Sequence, residues 1–202
     1  DTITIPSGAT FTQSGTMNAS AITAGTIATA RLGSGTASSS TVLYGDQTYK
    51  AEPTGGKILQ VQSALLTGQK IVSSTSYEAC NIVDSITCSA TSSTVLVIVA
   101  MANAYHSTSI GGGITLTRHT AVVADGGAIA GTKIYEVNPF VAYEGSADIS
   151  AGASSFVILD SPSSTSEQFY QIFIKNRTAS GSFYVGMGDD LNHSVTLLEV
   201  GA

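Results

Sequence analysis

The sequence predicts an all-β protein, and three observations support this fold class. Only 11% of the 202 residues are charged and 21 are Gly, so residues that favour helices, such as Glu, Lys and Arg, are scarce. Many short segments alternate between apolar and polar side chains, as half-buried strands do. No long segment keeps the 3.6-residue periodicity of an amphipathic helix, so we expect essentially no helix after residue 57.

Residues 1–33 repeat a short Gly-containing phrase and predict a thin β shaft. The phrase occurs as SGAT at 7–10, SGT at 14–16 and AGT at 24–26, with single apolar residues between the copies. Each copy has too little apolar surface to fold alone, so we expect identical chains to wind together, most simply as a homotrimer. The sequence begins within this pattern and lacks the layout of a secretion signal, so we expect further chain upstream.

Residues 34–56 predict a Gly/Ser/Thr linker, and residues 57–202 predict the head domain. The linker is too polar and too rich in Gly to build a core. From Lys57 onward, about ten period-two segments follow one another, separated by Gly, Pro, Asn and Asp turns. They are 58–62, 70–72, 79–83, 94–105, 114–118, 133–137, 155–159, 169–174, 183–185 and 195–200. This spacing is typical of a β-sandwich or jelly roll, and Gly111–Gly113 is expected to form a flexible loop.

Charge and hydropathy argue against two classes of partner. The net charge is −6 and Lys and Arg form no cluster, so we expect no nucleic-acid partner. The longest apolar run, residues 95–102, is far shorter than the ~18 residues that a membrane span needs, so no membrane insertion is expected.

The potential metal ligands and thiols give no pattern of a cofactor site. Cys80 and Cys88 could pair across a hairpin, but two unlinked buried thiols are the simpler interpretation. Three histidines are too scattered for a metal site, and the acidic pair after Gly188 fits a solvated loop tip better than a calcium site. We therefore predict no metal and no cofactor. The three histidines are His106, His119 and His193.

Residues 24–49 read AGTIATARLGSGTASSSTVLYGDQTY. This segment resembles the connector between shaft and head in many tail-fibre and virion-structural proteins of tailed bacteriophages. Members of that family commonly have Arg before the Gly-Asp pair and Trp after it, where this chain has Tyr44 and Tyr49.

Five head segments are similar to the domain that usually follows this connector. They are residues 57–61, 73–77, 89–97, 159–162 and 195–200. The resemblance covers most of residues 20–202 and implies a trimeric jelly-roll head, similar to the tumour-necrosis-factor and complement-globular type, at a fibre tip. It also implies a virion protein of the tail or capsid, assembled in the bacterial cytoplasm and attached to upstream fibre or virion proteins.

An enzyme is not predicted. Glycoside hydrolysis by a capsule-degrading fibre would need a carboxylate pair around a cleft. The available acids look like isolated strand-end or turn residues, so a polysaccharide depolymerase is only a remote alternative. These acids are Glu136, Glu144, Asp148 and Asp160.

Binding to a host surface is the leading hypothesis for function, with a polysaccharide or a protein of the bacterial surface as the ligand. Three loops combine aromatic side chains with amide, hydroxyl and carboxylate groups, the mixture that recognises sugars. The alternative is a structural or decoration fibre on the capsid that has no dedicated receptor. The predicted contact residues are Tyr105, His106, Phe140, Tyr143, Asp189, Asp190 and Asn192.

Overall fold

The computed structural model divides the chain into two compact units, Asp1–Pro53 and Thr54–Ala202. It describes residues 6–10, 12, 14–15, 27–52, 56–107, 111–140, 149–151, 153–186 and 192–202. Most of the predicted shaft lies outside these residues, so its structure stays a prediction. The division between the units falls within the predicted linker, 34–56.

The described residues of the first unit contain short regular elements, one at the end of the predicted shaft and two in the predicted linker. A 3₁₀ turn covers Thr29–Arg31, and an antiparallel hairpin joins β1 (Thr41–Leu43) to β2 (Tyr49–Ala51). The predicted linker, 34–56, thus contains a hairpin, and none of its described side chains is buried. Its polarity excluded a buried core, but backbone hydrogen bonds still order it.

The second unit is built from β-strands, and its described residues contain no helix, as predicted. Its strands are β3 (Ile58–Thr67), β4 (Lys70–Val72), β5 (Glu78–Ile86), β6 (Thr94–Met101), β7 (Ala104–His106), β8 (Gly112–His119), β9 (Thr132–Val137), β10 (Ile149–Ala151), β11 (Ser154–Asp160), β12 (Gln168–Asn176), β13 (Phe183–Val185) and β14 (Asn192–Val200). The described residues likewise contain no helix of the length and hydropathy that a membrane crossing requires.

Two four-stranded antiparallel sheets form the body of the second unit, an arrangement consistent with a β-sandwich. Their strand orders are β11-β6-β14-β3 and β5-β12-β8-β9. Strand β6 shows how they enclose the core, because Val95, Val97 and Val99 are fully buried while the residues between them are not. These valines pack with Leu116 and Ile172 of the other sheet in one apolar cluster.

A third, smaller sheet with the order β10-β7-β13-β4 continues the first large sheet at one end. Along the chain β4 follows β3, β7 follows β6, β10 precedes β11, and β13 precedes β14. The chain enters the unit at the other end, where Gly56 donates a hydrogen bond to the Gly201 carbonyl at 2.8 Å. Strand β3 leads away from there, since Thr67 at its end pairs with Asn192 at the start of β14. We call the end with the small sheet the far end.

Three details of the head differ from the sequence prediction. The predicted strand 94–105 is interrupted after Met101 and resumes as β7, and β10 was not predicted. The flexible loop predicted at Gly111–Gly113 is wrong for its last two residues, which are buried and begin β8. A Cβ atom at Gly112 would overlap the ring of Phe183, so close packing is the reason for glycine there.

The cysteine prediction is confirmed, because Cys80 and Cys88 are both free and buried. The Cys80 thiol donates to the Ile172 carbonyl at 3.0 Å, and burial raises its pKa to about 12. At neutral pH it is a protonated core side chain rather than a reactive thiolate.

Candidate functional site: the far end and the two sandwich faces

A row of apolar and aromatic side chains crosses the outward side of the far-end sheet. Tyr105 of β7 pairs in register with Tyr184 of β13, which pairs with Ile71 of β4. Five of their six neighbours along the strands are buried and the sixth, Lys70, is half-buried, so these three side chains point outward. The tyrosine rings meet edge to face, with centroids 5.3 Å apart and planes at 61°. We call these three residues the tyrosine row.

His106 belongs to the core and not to this outward surface, which corrects its place among the predicted contact residues. It follows Tyr105 on the same strand, so its side chain points to the opposite side, and it is fully buried. Its ring nitrogen Nε2 lies 2.8 Å from the Asn176 side-chain oxygen, and its ring stacks near Phe183. The sequence could not show this, because the interruption between β6 and β7 changes the alternation.

The structure describes two of the five remaining predicted contact residues. Phe140 is half-buried and packs against the main core, while its N–H donates to the Gly112 carbonyl at 2.7 Å. Asn192 is exposed at the start of β14. Tyr143, Asp189 and Asp190 lie outside the described residues, so their roles stay predictions.

Strand register shows which strand ends lie side by side in the far-end sheet. His106 at the end of β7 pairs with Ile149 at the start of β10. Val185 at the end of β13 instead pairs with Ala104 at the start of β7. The predicted binding loops 105–109, 138–144 and 188–193 lie partly outside the described residues, so their arrangement stays a prediction.

Tyr184 was not among the contact residues predicted from the sequence. It lies in a Phe-Tyr-Val strand whose alternation gives no sign of which side faces outward. The only local sign that Tyr184 faces outward is its polar hydroxyl group, since both of its neighbours are apolar. Cross-strand pairing with Tyr105 is what places it on the surface.

The outward face of the sheet β11-β6-β14-β3 is mostly apolar: of its twelve described positions, eight are apolar, four carry a hydroxyl group and none is charged. Leu65 is 71% exposed and Leu159 is 61% exposed, although both lie in regular strands. We call this surface the bare face. Row by row, its positions are Val61, Leu198, Leu96 and Leu159, then Ser63, Thr196, Ile98 and Val157, then Leu65, Ser194, Ala100 and Ser155.

The outward face of the other large sheet is covered by the chain itself. Residues 120–131, which we call the strap, cross it and place Val123 against buried Phe173. Gln171 holds the strap from below, accepting from the Val123 N–H at 3.0 Å and donating to the Val123 carbonyl at 2.8 Å. Two backbone hydrogen bonds also join the strap to β5 at Ala79. One sandwich face is thus covered and the other is not.

Two of the four acids considered for catalysis are held by other side chains. Arg118 forms an ion pair with Asp160, and the Tyr170 hydroxyl donates to the same carboxylate at 2.8 Å. Hydrogen bonds from Lys133 and Tyr77 lower the pKa of the Glu136 carboxyl. Glu144 and Asp148 lie outside the described residues, and the described part of the chain has no group of three metal-ligating residues.

No protein-family model matches this chain, and no curated protein shows significant similarity to it.

Proposed function

We propose that the chain is the distal part of a bacteriophage fibre, with a homotrimeric jelly-roll head that binds the bacterial surface and catalyses no reaction. The single observation that best supports this proposal is the bare face. A shaft of this composition leads into the head, and residues 24–49 resemble the connectors of phage fibres. The fibre assembles in the host cytoplasm and becomes part of the virion, on the tail or on the capsid.

The strand order supports a jelly-roll head. Numbered along the chain, the long strands of the head are β3, β5, β6, β8, β9, β11, β12 and β14. In that numbering, the first large sheet has the order 6-3-8-1 and the second has the order 2-7-4-5. Such an interleaved arrangement, in which the first and last strands are neighbours, is that of two Greek keys closed into a double sheet.

The bare face supports assembly into a trimer. With strands ~4.8 Å apart and outward residues ~6.8 Å apart along each strand, its three rows cover roughly 400 Å². The largest apolar patch on a soluble protein typically covers roughly 300–600 Å² and is often functional. The strap covers the corresponding surface of the other sheet. Of the two large sheets, it is therefore the one with the bare face that is left open to a partner. Identical copies are the partner that a fibre protein meets at the highest local concentration.

The tyrosine row supports binding at the far end, opposite the point where the chain enters the head. Tyrosine rings offer an apolar surface to the CH groups of a sugar and a hydroxyl to its polar groups. Three such sites on one trimer act together through effective concentration, so weak single contacts give firm attachment. A surface polysaccharide is therefore the ligand we favour over a surface protein.

Adsorption of the labelled native protein to host cells tests this function. Saturable binding that is lost in the Tyr105→Ser/Tyr184→Ser double variant, with native mass unchanged, is the expected result. The matched control is Val122→Ser, which changes an exposed apolar side chain of the strap. Wild-type protein that does not attach to any host strain would contradict an adhesin and favour a structural capsid fibre. Release of soluble sugar from the cells would favour a depolymerase.

A further inference from the structure

Residues 27–52, which we call the connector, form an ordered unit that carries no core of its own. Strands β1 and β2 pair antiparallel, and the segment at Ser34 lies along the other edge of β2. Ser34 donates to the Gln47 carbonyl at 2.9 Å, and Tyr49 donates to the Ser34 carbonyl at 2.8 Å. Gly35, with φ at +88°, lets this segment approach so closely that a Cβ would lie 2.8 Å from the Tyr49 carbonyl oxygen.

None of the side chains in residues 27–52 is buried within the single chain. Leu32, Val42 and Leu43 are each more than 40% exposed. Ordering a backbone costs conformational entropy for every residue, and an isolated two-stranded hairpin is marginally stable in water. A connector with this hydrogen-bonded geometry therefore needs apolar cover from another surface.

Both faces of the hairpin carry an exposed apolar side chain. Val42 and Leu43 are consecutive residues of β1, so their side chains point to opposite sides. Leu43 lies over Gly33, 2.6 Å from where a Cβ of that glycine would be, yet it is still 44% exposed. A single flat surface could cover one side only. A ring of identical hairpins gives each copy one neighbour on either side.

We infer that the connector is a clasp, in which the hairpins of three identical chains pack around one axis with Val42 against one neighbour and Leu43 against the other. The inference rests on the proposed homotrimer. It adds that residues 27–52, most of which the sequence predicts to be a linker, also take part in the contacts between the chains. Charged and hydroxyl groups remain at its rim, where Lys50 pairs with Asp46 and lies 5.4 Å from the ring centre of Tyr44. The clasp would hold the three chains in register before they enter the heads.

Hydrogen exchange of the intact chain, read by mass spectrometry, tests the clasp. In the native trimer we expect the amides of Ser34, Tyr44 and Tyr49 to exchange at least tenfold more slowly than in unstructured chain. The Val42→Asp and Leu43→Asp variants should each lose this protection within residues 27–52, because each places a charge in one of the two contacts. Exchange in the head and the native mass should stay as in the wild type. The matched control is Val122→Asp, at a valine of similar exposure in the strap.

The outcomes separate the clasp from the proposed function. A wild-type trimer whose connector exchanges as fast as unstructured chain would overturn the clasp and leave the fibre proposal standing. Protection that survives in both aspartate variants would also overturn it, because the connector would then be held by its own chain alone. A wild-type monomer would overturn both proposals. As a second readout, trypsin should cut after Arg31 and Lys50 much faster in the two aspartate variants than in the wild type.

Discussion

Replacing Glu199 by Gln should destabilise the head, because this buried carboxylate joins the last strand to the turn between β5 and β6. The carboxylate accepts hydrogen bonds from the Ser89 N–H at 2.7 Å, the Ser89 hydroxyl at 2.6 Å and the Gln60 amide at 2.6 Å. Glu199 is fully buried, so water cannot replace a lost partner. Glu199→Gln removes the charge and replaces one acceptor oxygen by an NH₂ group. That NH₂ group would face the donors of Ser89 and Gln60 instead of accepting from them. We expect a loss of about 2–3 kcal/mol in the free energy of unfolding at pH 7.

The same residue predicts a pH dependence with a definite sign. Burial alone would raise the pKa of Glu199, but hydrogen bonds from Ser89 and Gln60 outweigh it and lower the pKa to about 2, from 4.5. The folded pKa lies below the unfolded one, so the stabilisation is present above pH 4.5 and is lost as the pH falls toward 2. Urea denaturation at fixed protein concentration measures it. The wild type and Glu199→Gln should differ at pH 7, and the difference should shrink as the pH falls from 4.5 toward 2. Equal stability at pH 7, or a difference that does not change with pH, would refute this account of the contact.

Two further predictions concern the far end. Gly112→Ala should lower the free energy of unfolding by about 1–3 kcal/mol, because the added methyl group overlaps the Phe183 ring, and an unchanged urea midpoint would count against that packing. His193 accepts from the Ala102 N–H at 3.3 Å and its other ring nitrogen lies 3.2 Å from the Gly68 carbonyl oxygen, an arrangement that suits the neutral ring. Burial lowers the pKa of His193, so stability should be full above the usual value near 6.5 and fall as the pH drops through the lower folded pKa. His193→Gln should show a smaller loss of stability between pH 7 and 5 than the wild type, and identical pH profiles would contradict a buried neutral histidine.

The all-β class and most head strands could be predicted because alternation and turn residues are local signals. Strands β4 and β13 begin and end where the pattern placed them. The break after Met101 could not be predicted, because the apolar run continues through it. For the same reason the inward side of β7, and with it the burial of His106, depends on pairing with β13 rather than on the local sequence.

The two candidate surfaces illustrate why a sequence leaves function open. Leu96 and Ile98 alternate with buried valines, so β6 reads as a strand covered on both sides. Only the sheet order reveals that their side has no cover within the described chain, whereas Val123 covers the other sheet. Residues 34–56 were interpreted as a linker because they are too polar and too rich in Gly to build a core, although β1 and β2 within them pair in a defined register.

The native mass in solution, measured by light scattering, is the most direct test of the central claim that the bare face joins three heads. The wild-type chain of 20.5 kDa should give three times that mass. Ile98→Asp, at the middle row of the bare face, should give a folded particle of lower mass, while the strap variant Val122→Asp should remain a trimer. A wild-type monomer, or an Ile98→Asp protein that is still fully trimeric, would contradict the account.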